Sequence, residues 1–147
     1  MQFHNNQLTS LPKSFSNLHN ITFINLSNNG FDTVPVQLYG IRNLRELNLS
    51  ANKVKTLESD IANWTSLEAF NMNENLLSYL PQEMQKLSSL RRLQLNGNRL
   101  SQLPAGFLST FAHQLEDLEV ANNKISSVTM SEYAADQFLT MELLWLT

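Results

Sequence analysis

Apolar residues return at fixed offsets along this chain. The phrases LRELNLSANKV (44–54), LEAFNMNENLL (67–77) and LRRLQLNGNRL (90–100) each start 23 residues after the last. With Leu44 as position 1 of a unit, apolar residues recur at positions 1, 4, 6, 11 and 14, and Asn at position 9. The second unit has Ile21, Ile24, Leu26, Asn29, Phe31 and Val34; the sixth has Leu115, Leu118, Val120, Asn123, Ile125 and Val128. A period in the twenties predicts stacked repeats rather than a closed globule. Positions 4 and 6 alternate with polar 5 and 7, which predicts a strand with one buried face. So short a strand is unstable alone and must pair in parallel with its copies in neighbouring units. Positions 18 and 21 carry a second apolar pair: Phe15 and Leu18, Leu38 and Ile41, Ile61 and Trp64, Met84 and Leu87. Their spacing of three suits a short helical or 3₁₀ turn packing back onto the strand layer.

The chain enters this pattern partway through a first unit, with Met1, Phe3, Asn6, Leu8 and Leu11 at positions 4, 6, 9, 11 and 14. From Leu90 to Leu115 the step is 25, and the surplus falls in FLSTFAHQ (107–114), where a longer outer segment absorbs it. Pro follows position 14 as Pro12, Pro35, Pro81 and Pro104, and is replaced by Glu58 and Thr129.

The pattern LxxLxLxxNxLxxLPxxhxxLxx, with h apolar, resembles the leucine-rich repeat, most closely its short intracellular class. The resemblance implies an α/β solenoid over residues 1–129, a partial first repeat plus five full ones. It further implies a curved right-handed horseshoe, with a parallel sheet on the concave face and short helical or 3₁₀ turns on the convex face. In that family the position-9 Asn points inward and bonds neighbouring backbone groups, as a buried amide must. Asn6, Asn29, Asn52, Asn75, Asn98 and Asn123 are therefore read as scaffolding.

Function then lies in the columns between the scaffold residues. Positions 3, 5, 7 and 8 are read as facing out over the concave sheet, where equal positions of successive units stand about 5 Å apart. Position 5 runs Gln2, Asn25, Asn48, Asn71, Gln94, Glu119, an amide ladder turning acidic at one end. Position 7 is small or neutral: His4, Ser27, Ser50, Asn73, Asn96, Ala121. Position 3 runs Phe23, Glu46, Ala69, Arg92, Asp117, and position 2 runs Thr22, Arg45, Glu68, Arg91, Glu116. The alternating signs at position 2 favour pairing within the column over a docking strip, while position 3 leaves both readings open. Phe23, an aromatic at a concave position, is either an interface anchor or a shield at the edge of the sheet. The candidate partner-binding residues are Phe23, Asn25, Glu46, Asn48, Asn71, Arg92, Gln94, Asp117 and Glu119.

Composition narrows the function classes. A net charge of −3 argues against nucleic acid or an anionic membrane as partner. There are no cysteines, which removes disulfides and Cys-based metal sites and fits a reducing compartment. His4, His19 and His113 fall at unrelated repeat positions, so neither a metal nor a cofactor is expected. No Ser-His-Asp set or phosphate-binding glycine loop is visible, which points away from an enzyme. Sequons at Asn20, Asn25, Asn48 and Asn63 include the NLS type that the repeat itself generates, and are read as accidental. Residues 1–20 lack a basic start and an apolar run, so the expected location is the cytoplasm.

The ends depart from the pattern. A first unit begun midway implies either a piece of a longer chain or an edge strand free to pair. Residues 130–147 are read as a capping segment, with a helix on Ser131 favoured over a seventh strand through Phe138, Met141 and Leu143. Leu139, Leu144, Trp145 and Leu146 exceed what one face buries, a candidate surface for self-association. The family resemblance implies a protein-interaction module, a signalling adaptor or scaffold for partners such as small GTPases or phosphatase subunits. The alternatives are a sensor arm of a larger receptor, ligase or kinase, and a secreted glycoprotein.

Overall fold

The structure, a computed structural model, describes residues 1–127. Val128, Thr129 and the 130–147 segment, with its helix, seventh-strand and self-association readings, lie outside the described residues.

Five three-residue strands form one open parallel sheet in sequential order: β1 (Phe23–Asn25), β2 (Glu46–Asn48), β3 (Ala69–Asn71), β4 (Arg92–Gln94) and β5 (Asp117–Glu119). The first, partial unit joins by a parallel bridge between Gln2 and Asn25. Each strand buries its middle residue, Ile24, Leu47, Phe70, Leu93 or Leu118, against the core. Its two flanking residues face out, as the period-2 pattern requires.

The return arms are 3₁₀ turns at Lys13–Asn17, Val36–Gly40, Ser59–Asn63 and Gln82–Lys86. Each runs on i→i−3 bonds in series. The Ile61 N–H donates to Glu58 O (3.1 Å), Trp64 to Ile61 O (3.1 Å) and Leu67 to Trp64 O (3.0 Å). Those donors are the apolar positions 18, 21 and 1, so one spacing both closes the turn and fills the core. Pro12, Pro35 and Pro81 stand immediately before three of the turns, where no N–H is required. Glu58 takes that place in the third turn, and its N–H donates to the Tyr39 hydroxyl of the preceding unit at 3.4 Å. In the longer fifth unit the surplus residues form an α-helix, α1 (Phe107–Phe111), entered through Gly106 at φ 71°. Phe107, Leu108, Phe111 and Ala112 are buried there.

The Asn column is the brace between units. Asn75 is buried; its Oδ1 accepts from Val54 N (3.0 Å), and its Nδ2 donates to Leu49 O (2.9 Å), Met72 O (3.1 Å) and Asn73 O (3.2 Å). Asn29, Asn52, Asn98 and Asn123 repeat this arrangement. Asn6 is the exception. It is exposed and bonds only Phe3 O and His4 O of its own unit.

Position 8 is exposed or half-exposed in every unit and marks the end of each strand. Asn5, Asn28, Ala51, Glu74, Gly97 and Asn122 all have φ between 53° and 67°. They make the left-handed turn by which the chain leaves each strand.

Candidate binding surface

The sheet register puts the predicted columns side by side. Phe23, Glu46, Ala69, Arg92 and Asp117 are successive Cα partners across the five strands, and so are Asn25, Asn48, Asn71, Gln94 and Glu119. All nine candidate residues therefore lie in two adjacent rows of one face. An open depression of about 260 Å³ sits at the centre of that face. Six candidates line it: Phe23, Glu46, Asn48, Asn71, Arg92 and Gln94. Asn25, Asp117 and Glu119 lie outside it, towards the ends of the rows.

Sequence reasoning missed the reason for the hollow. Ala69 is the small residue of its row, set between Glu46 and Arg92, and the side chains around it form the rim. The signal was present as the one residue of the column without a long side chain. Phe23 is half-buried, while Glu46 and Arg92 are exposed. The floor thus combines apolar surface with amides, and opposite charges stand at its margins.

Hydrogen bonds divide the amide ladder. Asn25, Asn48 and Asn71 each use Oδ1 to accept a backbone N–H two residues on, from Ser27, Ser50 and Asn73. Gln94 Nε2 instead donates to Glu119 Oε1 at 2.8 Å, and Asn96 Nδ2 donates to Glu119 Oε2 at 2.5 Å. Position 7 adds a lattice of its own: Asn73 Oδ1 accepts from Asn96 N, and Asn96 Oδ1 from Ala121 N, both at 2.7 Å. The acidic end of the ladder is therefore cross-tied, and Asn25, Asn48 and Asn71 keep their amino groups outward.

Position 2 pairs with itself. Arg45 Nη1 meets Glu68 Oε1, and Arg91 Nη1 meets Glu116 Oε1, both at 2.5 Å and both solvent-exposed. Each such pair contributes about 0–1 kcal/mol, so these charges neutralise one another more than they stabilise the fold.

An open stack of parallel strands, braced by buried amides and presenting one polar sheet face, defines a solenoid repeat protein. The family model for leucine-rich repeats matches residues 42–100. The fold is the one seen in leucine-rich repeat proteins, and that fold is a common protein–protein interaction module. Among solved structures, a leucine-rich repeat protein of Leptospira interrogans aligns with a TM-score of 0.79 and 28% identity, over 97% of this chain and 36% of that one. An internalin of Listeria monocytogenes aligns with a TM-score of 0.73 over 96% of this chain and 39% of that one; at 20% identity the likeness is one of fold. This chain spans well under half the length of either. No curated protein matches it.

Proposed function

We propose that this chain is a non-enzymatic interaction module that receives a protein partner on its concave sheet, with the hollow over Ala69 as the centre of contact. The observation that carries this is the coincidence of the hollow with the two candidate rows. At about 260 Å³ it is smaller than the roughly 300–1,000 Å³ of small-molecule sites. It suits a side chain inserted by a larger partner, with Phe23 as aromatic anchor and Glu46 and Arg92 setting orientation. A signalling adaptor or scaffold in the cytoplasm, with a small GTPase or phosphatase subunit as partner, is the specific form suggested by the family resemblance.

A second reading has these repeats as one arm of a longer protein. It is favoured by the 36% and 39% coverage of the two solved structures. Crosslinking with mass spectrometry on native lysate tests the face in either case. Crosslinks are expected at the concave rows, and Phe23→Ala combined with Arg92→Ala is expected to abolish them. Crosslinks that survive that double change place the partner elsewhere.

A further inference from the structure

The ladder has a polarity, and polarity specifies what it meets; the inference rests on the concave reading above. Ser27 N donates to Asn25 Oδ1 at 3.0 Å, Ser50 N to Asn48 Oδ1 at 2.9 Å, and Asn73 N to Asn71 Oδ1 at 2.9 Å. A backbone N–H only donates, so the atom facing it must be the amide oxygen, and the Nδ2 group is turned to the open face. Among the described residues these three Nδ2 groups have no acceptor, and none is a buried atom left without a partner. The next rung closes the row, because Gln94 Nε2 is spent on Glu119. What remains is a donor-only row three strands wide, with rungs about 4.8 Å apart.

Glu46 and Arg92 stand beside that row with opposite charges, so neither sign of charge is favoured in its complement. Neutral acceptors suit it. We infer that the face recognises an extended, unpaired segment of a partner protein through its backbone carbonyl oxygens, with one apolar side chain seated over Ala69 beside Phe23. Such a segment offers carbonyls in series, and in polyproline or extended form they are not used internally.

The test uses an acetylated proline decamer closed as its C-terminal dimethylamide, whose backbone offers carbonyls and no N–H. It is titrated into the ¹⁵N-labelled full chain. The side-chain NH₂ signals of Asn25, Asn48 and Asn71 are expected to shift, and that of Gln94 to stay. Asn48→Asp keeps the Ser50 bond through one oxygen while turning an acceptor outward. It is expected to weaken the decamer by about tenfold or more with the backbone spectrum unchanged. Asn71→Asp serves if the first variant is misfolded. Stationary NH₂ signals, or an Asp variant that binds like the parent, overturn the proposal. Ala69→Trp in the crosslinking assay separates the two ideas. If it removes the crosslinks while the decamer leaves the amides unmoved, carbonyl recognition alone fails; if crosslinks persist, the concave reading fails.

Discussion

The indole N–H of Trp64 donates to the carbonyl oxygen of Leu38 at 2.9 Å, tying the return arm of one repeat to that of the repeat before it. The ring is fully buried, stacked on Tyr39 at 5.0 Å and edge-on to Phe70 at 5.7 Å. Position 21 elsewhere carries Leu18, Ile41 and Leu87, so this aromatic cluster is particular to the middle of the stack. Trp64→Ala is expected to cost about 3–5 kcal/mol. Trp64→Phe is expected to cost less, since the ring is kept and only the Leu38 carbonyl loses its donor. Urea unfolding followed by circular dichroism measures both, and equal costs would show that the buried ring contributes nothing beyond its hydrogen bond.

Asn75 holds four backbone groups from a buried position, whereas Asn6 is exposed and holds two. Asn75→Leu is expected to destabilise by about 3 kcal/mol or more, because each orphaned buried group costs about 1–3 kcal/mol. Asn6→Leu is expected to stay within about 0.5 kcal/mol, as for an ordinary surface change. Thermal melts of the two variants side by side decide it; similar midpoints would refute the bracing role.

Burial pushes the Tyr39 phenol from 10.0 up to about 12, opposed by its hydrogen bond from the Glu58 backbone and assisted by the charges of Glu58 and Asp60. Between those two values the unfolded phenol gives up its proton while the folded one keeps it. Stability therefore falls as pH rises through that window, by about 2–3 kcal/mol in total. Tyr39→Phe is expected to lose this component of the slope. Urea midpoints of parent and variant from pH 9 upward test it, and parallel curves would contradict the assignment.

Ala51 holds φ 53° where the equivalent Gly97 holds φ 67°. Ala51→Gly is expected to stabilise by about 0.5–1 kcal/mol by relieving the left-handed strain, net of the added freedom of the unfolded chain. The reverse exchange, Gly97→Ala, is expected to destabilise, since φ 67° is a left-handed conformation that strains any side chain, while the Glu74 carboxylate beside the added Cβ can swing aside. Differential scanning calorimetry should shift the two melting temperatures in opposite directions, and shifts of the same sign would exclude strain as the cause.

The repeat phrase by itself determined the stack, the register and the two rows of candidate residues. Apolar residues at positions 4 and 6, and again at 18 and 21, admit one arrangement in which each unit buries its faces against the next. That arrangement places Phe23 beside Glu46 and Asn25 beside Asn48. The pairing of alternating charges was legible too, because Arg45 and Glu68 share a column. Other features depend on the direction of a side chain, which periodicity does not encode. Position 8 looks like one more outward residue of the strand until the backbone turns left-handed there. The hollow over Ala69 exists only once its neighbours across the sheet supply walls. Five of the six position-5 rungs are amides, yet packing divides them. Three turn their oxygens inward to their own backbone, and Gln94 reaches across to Glu119. A column of letters specifies which residues meet; the tertiary structure decides which atoms of them are left for a partner.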